Sequence, residues 1–241
     1  MSIDYESLKK KYFHLFDGNE EYFNFIMTDV LFAFNEIEKI LKSHKINRVL
    51  EVGCGTGILL KELKDNYKDI EFVGLDPNQS GFHNYEEVSK KILDFDNSIN
   101  IIKSTIESFD NQKKYDLIFS FNVFEHVKNQ NQYIINTMNL LTNGGKNMIF
   151  APNYDFPYEP HFIIPIILNK KITRKIFEKK IKNHETKTQE IGLWDALHLT
   201  GKKKIELFLK KKNFNYFFDN EIMIKMIDRA LDDKYFRKRQ G

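Results

Sequence analysis

The chain has 241 residues, of which 41% are hydrophobic and 29% are charged, a composition typical of a folded protein with a substantial core. Its formal net charge of +3 is too small to indicate nucleic-acid binding by itself. The single cysteine, Cys54, excludes an intrachain disulfide and any zinc cluster built from cysteines.

Nothing in the sequence predicts insertion into a membrane. The first five residues do not combine a basic segment with an apolar one, so we expect no signal peptide. The longest apolar run, residues 162–168, contains Pro165 and is too short to span a bilayer. We therefore expect a cytoplasmic protein without a membrane span.

The first 45 residues are predicted to be helical. Apolar side chains recur at helical spacing before and after a break at residues 17–19. A helical layer packed on a sheet is the simplest explanation of this aromatic stripe, although residues 5–16 could also form a lid over a cofactor.

From residue 48 the hydrophobic pattern predicts an alternation of strands and helices. Strands are predicted at 48–52, 71–75, 99–103, 115–120 and 146–150, and helices at 58–66, 79–93 and 132–141. Strands separated by helices form a parallel sheet covered on both faces, so the fold class is α/β, doubly wound. Ligands of such sheets bind at the carboxyl ends of the strands.

Beyond residue 151 the alternation ends. Residues 162–200 contain no clear strand, and 170–187 contain eight Lys or Arg against two acids. Such a run is more often a solvated helix face than a phosphate-binding surface, although one or two of its lysines could grip a phosphorylated acceptor. The hydrophobic pattern predicts a helix at 202–212, a strand at 214–218 and an amphipathic tail at 221–240.

A glycine-rich loop lies between the first strand and its helix. It has glycines at alternate positions, as Glu51-x-Gly53-x-Gly55-x-Gly57. A phosphate-binding loop would need a Lys followed by Ser or Thr, and a dinucleotide fingerprint would need glycine where Ile58 stands. Neither pattern is present.

The loop resembles the first motif of the class I S-adenosylmethionine-dependent methyltransferases, and later segments agree. Asp76 ends the second strand, where a carboxylate can bind both ribose hydroxyls, although a turn role before Pro77 is the simpler alternative. The segment 121–127 with its Glu-His pair, the turn at 140–146 and the segment 198–201 also resemble family motifs.

The resemblance implies a Rossmann-like methyltransferase fold that binds S-adenosyl-L-methionine and releases S-adenosyl-L-homocysteine. Thr105 departs from the acid that the family often has there. The cofactor-binding residues implied are Glu51, Gly53, Cys54, Gly55, Gly57, Asp76, Pro77, Thr105, Ile106, Phe121 and Asn122.

The acceptor is expected to bind a stiff loop at residues 151–162, which contains three prolines and four aromatic residues. His161 is the predicted base, with His126 as a second candidate; a helix-start role for His126 is equally compatible with the sequence. The predicted substrate-binding residues are Tyr154, Tyr158, Glu159 and His198. The alternative is a rigid loop packed on the core. Glu125 and His126 are too few ligands to predict a metal site.

These features predict one domain, 1–241, with a helical cap (1–45), a cofactor-binding core (46–154), a substrate insertion (155–200) and a C-terminal helix, strand and tail (201–241). The loop looks like those of bacterial methyltransferases that modify sugars or surface-polysaccharide precursors. The resemblance therefore implies O-methylation of a small polar or phosphorylated metabolite, sugar or glycan, with no nucleic-acid partner. N-methylation of an amino sugar or amine, and an inactive S-adenosylmethionine-binding regulator, are the alternatives.

Overall fold

A computed structural model describes residues 3–77, 83–96, 98–110, 112–188 and 190–240. The chain divides into two compact units, Met1–Ala151 (unit 1) and Pro152–Gly241 (unit 2). The division lies close to the predicted start of the substrate insertion. A single domain with an insertion at 155–200 stays a prediction.

Unit 1 begins with the predicted helices. Helix α1 spans Tyr5–Tyr12 and helix α2 spans Glu20–Ser43, with a short 3-10 helix at Phe13–Phe16 between them. The side chains of Asp4 and Asn19 accept hydrogen bonds from the first free N–H groups of α1 and α2, at 2.8 and 3.0 Å. Polar N-caps therefore start both helices.

The central sheet has five strands, and all of its pairings are parallel. The order is β3-β2-β1-β4-β5, so the direction of winding reverses between β1 and β4. A crevice at the carboxyl ends of β1 and β4 is the expected ligand position in such a sheet. The strands are β1 Arg48–Val52, β2 Glu71–Leu75, β3 Asn100–Ile102, β4 Tyr115–Phe121 and β5 Leu141–Phe150.

The connecting helices also follow the prediction. They are α3 Ile58–Asn66, α4 His83–Phe95 and α5 Gln130–Asn139. The predicted start of α4 at residue 79 lies outside the described residues. The predicted α/β fold is confirmed.

The start of β5 differs from the expected turn at 140–146. Leu141 pairs with Tyr115, but the next register pair is Lys146 with Leu117, so four residues of β5 bulge from the ladder. Gly144 has a φ of +80°, which lets the backbone make this excursion. The predicted glycine turn is therefore part of the irregular strand β5. Helix α5, which precedes it, ends at Asn139, two residues earlier than predicted.

The helical layer buries its aromatic stripe. Phe23 of α2 is completely buried, and three aromatic rings meet it edge to face with centroids 5.2–5.9 Å away. Burial of the Phe23 ring stabilises the fold by about 1.5–3 kcal/mol. The three rings are those of Tyr5, Phe13 and Phe16. The aromatic stripe therefore packs within the helical layer, as expected.

Unit 2 is mainly helical. It contains a short antiparallel pair, β6 Tyr158–Glu159 and β7 Ile164–Pro165, which the sequence pattern did not indicate. Helix α6 has non-helical dihedrals at Phe177, where it kinks. The helices are α6 Lys170–Thr188, α7 Leu193–Ala196, α8 Lys202–Lys211, α9 Glu221–Asp232 and α10 Lys234–Gln240.

The strand predicted at 214–218 is wrong, because these residues are irregular. Their alternating aromatic residues contact helix α8 instead. The Tyr216 hydroxyl donates to Glu206 at 3.2 Å, and the Lys202 ammonium lies 4.5 Å from the Phe218 ring centroid. Side-chain packing on a helix thus replaces strand pairing here.

Among the residues that the structure describes, no helix is both long enough and apolar enough to cross a bilayer.

Candidate active site

The glycine loop joins the carboxyl end of β1 to α3. The N–H groups of Gly53 and Cys54 both donate to the Leu75 carbonyl, at 2.7 and 3.0 Å. Gly53 has a φ of +76°, and a Cβ there would lie 2.3 Å from Cγ2 of Val123. Only glycine fits this position, so the bare backbone of the loop is held between the ends of β2 and β4.

Asp76 follows β2 directly and is bonded to the glycine loop. Its Oδ2 atom accepts a hydrogen bond of 2.8 Å from the Gly55 N–H. Its own N–H donates to the Ile102 carbonyl at 3.2 Å. The carboxylate therefore has a fixed place beside the loop, where it would accept hydrogen bonds from ribose hydroxyls.

Glu51, the acid of the loop motif, is a buried carboxyl group at the end of β1. Its side chain is 5% exposed, and Oε2 has no hydrogen-bond partner among the described residues. Burial, and then the charge of Asp76, raise its pKa well above the ordinary value. A buried carboxyl without a partner beside a bare backbone loop fits a ligand that brings a cationic or donor group.

Cys54 is a buried spacer within the loop. Burial, and then the charges of Glu51 and Asp76, raise the pKa of the Cys54 thiol well above its usual range. The thiolate is therefore disfavoured, so this residue is a poor nucleophile.

Thr105 and Ile106, which are predicted to bind the cofactor, lie on the loop after β3. Ile106 is 4% exposed, and its carbonyl accepts from the Asn136 amide at 3.3 Å. The Thr105 hydroxyl accepts from the Ser108 N–H at 3.2 Å, so it closes a turn. Ile106 is therefore packed into the fold and Thr105 closes a turn, and their contact with the cofactor stays a prediction.

The segment after β4 is backbone-strained. Asn122 has a φ of +54°, which is uncommon for a residue other than glycine, and its N–H donates to the Phe150 carbonyl at 3.0 Å. Phe121 packs on Phe150 with ring centroids 5.3 Å apart. The chain therefore turns at the end of β4, where Phe121 and Asn122 are predicted to bind the cofactor.

Two residues near these positions were missed by sequence reasoning. The Asn122 amide lies 3.5 Å from Oδ2 of Asp29 on α2, and the ring of Tyr85 lies against Gly55. The sequence did offer one signal for Asp29, because it is an acid within the apolar stripe of α2. No sequence signal pointed to Tyr85.

His126 ends a short 3-10 helix, Phe124–His126, after β4. Its N–H donates to the Val123 carbonyl at 2.8 Å, and the preceding Glu125 is 1% exposed. His126 therefore lies at the end of a helical turn and not at a helix start, and its catalytic role stays a prediction.

In unit 2, Glu159 gathers two of the other residues predicted to handle the acceptor. Its Oε1 atom lies 2.6 Å from Nδ1 of His161 and accepts from the Tyr154 hydroxyl at 3.2 Å. Its Oε2 atom accepts from the Phe162 N–H at 2.8 Å. Glu159 is completely buried, so this network fixes the orientation of the imidazole ring.

The electrostatics of Glu159 favour its ionised form. Burial opposes ionisation, but the hydrogen bond and charge of His161, and then the Phe162 N–H, outweigh it and lower the pKa of Glu159. For the neighbouring Tyr158, burial and then the charge of Glu159 raise the phenol pKa. His198 is partly exposed on the segment before α8.

The loop of residues 151–162 is tied to helix α8 within unit 2. The side chain of Asn153 accepts from the Lys202 N–H, and that of Asp155 from the Lys203 N–H, both at 2.8 Å. These two side chains cap the first turn of α8. This tie was not foreseen from the sequence.

Comparison with known proteins agrees with this geometry. Residues 50–146 match the profile of a methyltransferase domain family. The uncharacterized protein Rv1509 of Mycobacterium tuberculosis is 29% identical over 195 residues, 80% of this chain and 66% of that protein. The ubiquinone biosynthesis O-methyltransferase of Rickettsia typhi is 28% identical over 129 residues, 54% of this chain and 48% of that enzyme. The matches thus span less than two thirds of these relatives.

A crystal structure of the plantazolicin methyltransferase BpumL, in complex with a triazolic desmethylPZN analog and SAH, has a similar fold. The superposition covers 96% of this chain and 83% of the BpumL chain, with 15% sequence identity and a TM-score of 0.52. At this identity the likeness concerns the fold alone.

The parallel sheet, the glycine loop at its switch point and the family match define a cofactor-binding α/β protein. Residues 50–146 carry a methyltransferase domain, and the fold is the Rossmann-like fold of S-adenosylmethionine-dependent methyltransferases.

Proposed function

We propose that this chain methylates a hydroxyl group of a small polar acceptor, such as a sugar, a phosphorylated metabolite or a polysaccharide precursor. The observation that carries the proposal is the 2.6 Å contact between Glu159 and His161 in unit 2. A hydroxyl must lose its proton as it attacks, and an imidazole oriented by a carboxylate is a group that can take it. The cytoplasmic location expected from the sequence stays a prediction.

Residues of unit 1 would hold the cofactor. The glycine loop would receive it against bare backbone, Asp76 would bind its ribose hydroxyls, and the buried carboxyl of Glu51 would take a donor or cationic group. When bound, S-adenosylmethionine supplies an electrophilic methyl group on a sulfonium, so alignment with the acceptor is the main requirement of catalysis.

His161 would act as the general base through its Nε2 atom. Because Glu159 accepts at Nδ1, the neutral ring carries its proton on Nδ1 and its lone pair on Nε2. The same carboxylate would stabilise the imidazolium that forms after proton transfer. The Tyr154 hydroxyl, which donates to Glu159, would keep this carboxylate in place.

The acceptor class is argued from two features of the sequence. It rests on the resemblance of the 151–162 loop to loops of sugar-modifying methyltransferases and on the excess of lysine in the segment that follows. A phosphorylated sugar combines both features, because it offers hydroxyls and an anionic group.

A turnover assay tests the proposal. The purified chain is incubated with S-adenosylmethionine and a panel of sugars and sugar phosphates, and homocysteine release is followed after enzymatic cleavage of the product cofactor. We expect His161→Ala to lower kcat on a hydroxyl acceptor by about 100-fold or more while the affinity for S-adenosylhomocysteine is kept. His44→Ala, at an exposed helix end in unit 1, is the matched control.

The acceptor panel includes amino analogues of each sugar. Turnover restricted to amines, or equal turnover by the His161 variant and the parent chain, contradicts the proposal. No binding of S-adenosylhomocysteine in calorimetry would contradict the cofactor site in unit 1 as well.

A further inference from the structure

The outer face of helix α6 in unit 2 combines free positive charge with exposed aliphatic side chains. Along residues 170–188 there are eight Lys or Arg and two Glu. The inner face is formed by the buried Thr173 and Ile181, which lie eight residues apart, about two turns of the helix. On the other side of the helix, Lys171, Ile172, Lys175, Ile176 and Lys179 are exposed.

Three lysines form a row on this face. Lys171, Lys175 and Lys179 follow at four-residue intervals, and all three are exposed. Within the described part of the chain, no ion pair or hydrogen bond holds their ammonium groups. Lys171 and Lys175 lie one turn apart on one side of the helix, and Lys179 follows just beyond the kink at Phe177.

The two acids of α6 are engaged elsewhere. Glu185 accepts from the Trp194 N–H at 2.9 Å, which draws its carboxylate toward α7. Glu178 pairs with Lys182 at 2.7 Å. Neither acid therefore serves as the main partner of the lysine row.

A second row, of aliphatic residues, runs beside the lysines. Ile172 and Ile176 each follow a lysine of the row, and they are 37% and 57% exposed. Leu168, four residues before Ile172 and just outside the helix, is 87% exposed. Ile172 and Ile176 lie one turn apart beside two of the lysines, so this side of the helix offers both apolar and cationic groups to a partner.

We propose that the α6 face, defined as Lys171, Lys175, Lys179, Ile172, Ile176 and Leu168, binds the surface of an anionic lipid bilayer. Lysines would lie at the headgroups and the aliphatic side chains would enter the boundary beneath them. A nucleic-acid backbone offers the negative charge but no apolar layer, so the aliphatic row favours lipid. The face uses lysines of the same segment from which a phosphorylated acceptor was argued, but vesicle binding is measured without methyl transfer and so is tested separately from it.

Vesicle flotation with the full chain tests this surface. Vesicles of phosphatidylcholine mixed with phosphatidylglycerol are compared with vesicles of phosphatidylcholine alone, at low and high salt. We expect binding to the anionic vesicles only, weakened by salt. The triple variant Lys171→Gln, Lys175→Gln, Lys179→Gln should bind about a hundredfold more weakly, because each lysine near an anionic surface contributes about fivefold.

The matched control removes the same charge elsewhere in unit 2. Lys203→Gln, Lys204→Gln, Lys211→Gln changes three exposed lysines of α8 and should keep most of the binding. Ile176→Ser should weaken binding even at low salt, whereas Leu207→Ser, at an exposed leucine of α8, should not.

Three outcomes would overturn the proposal: no flotation with anionic vesicles, equal losses for the α6 and α8 triple variants, or no effect of Ile176→Ser. Binding to single-stranded RNA with no vesicle binding would assign the lysine row to a nucleic-acid partner instead.

Discussion

The backbone N–H of Gly55 donates a 2.8 Å hydrogen bond to the carboxylate of Asp76, which ties the glycine loop to the end of the neighbouring strand. The same carboxylate is the group predicted to bind ribose. Asp76 would therefore act on cofactor affinity in two ways, by shaping the loop and by accepting hydrogen bonds from the nucleoside.

Substitution of Asp76 separates these two effects. Asp76→Asn keeps an oxygen that can accept from Gly55 but loses the negative charge, whereas Asp76→Ala loses both. We expect affinity for S-adenosylhomocysteine, measured by calorimetry, to fall about 10-fold to 100-fold in the Asn variant and further in the Ala variant, because hydrogen bonds to charged groups contribute about 1.5–3 kcal/mol. Asp94→Asn, at an exposed acid of α4, is the control. Unchanged affinity in both Asp76 variants would remove the residue from the cofactor site.

The buried carboxyl of Glu51 makes the stability of the free protein depend on pH. Because the pKa of Glu51 is raised in the folded state, the folded protein keeps a proton that the unfolded chain releases. The contribution of this group to the free energy of unfolding is therefore full below the ordinary pKa of 4.5 and is lost as pH rises toward the pKa of the folded state. Glu51→Gln has the same shape and no charge to bury. We expect it to melt higher than the parent chain at pH 8, with a smaller difference at pH 5.

The same Glu51 variant should bind the cofactor less well, because Gln cannot supply a charge to a cationic group. Thermal melting with and without S-adenosylmethionine measures both effects. A variant that is less stable at pH 8 and binds with unchanged affinity would contradict this role.

Gly53 is expected to tolerate no side chain. Gly53→Ala places a Cβ 2.3 Å from Val123 in a residue with positive φ, so backbone strain and overpacking add to about 2–5 kcal/mol of lost stability. Gly144→Ala is the matched control, since Gly144 has a φ of +80° but no atom within 4 Å of the new Cβ, and its cost should be about 1–2 kcal/mol. Chemical denaturation measures both.

A second substitution isolates the contact. Val123→Ala removes the methyl groups that a Cβ at Gly53 would meet, so the double variant should recover part of the stability lost by Gly53→Ala. Equal losses of stability for Gly53→Ala and Gly144→Ala would show that the contact with Val123 does not destabilise the Gly53→Ala variant.

Local patterns predicted most of unit 1 because its strands and helices are each specified by short-range periodicity. The parallel sheet, the glycine loop and the place of Asp76 follow from residues close together in the chain. The contact of Asn122 with Asp29 joins residues 93 apart, and no local pattern reports it. The failed strand at 214–218 has the right alternation, but its aromatic residues pack on α8, a tertiary choice that overrides local preference.

Glu159 connects the stability of unit 2 to its proposed chemistry. Its folded pKa is lowered below the ordinary 4.5, so the stability it contributes is present above that pH and is lost as pH falls through the folded value. Glu159→Gln should therefore destabilise the protein by about 1–3 kcal/mol at pH 7, because a hydrogen-bonded charge is removed from a buried site, and by less at pH 3. Denaturant unfolding at the two pH values measures this difference.

Turnover of the same variant distinguishes a positioning role from a structural one. If Glu159 orients His161 for proton removal, Glu159→Gln lowers kcat at least about tenfold with little change in the KM of the acceptor. Glu87→Gln, at an exposed acid of α4, should change neither stability nor kcat. A fall in kcat that merely follows the loss of folded protein, and disappears when rates are normalised to the folded fraction, would leave Glu159 with a structural role alone.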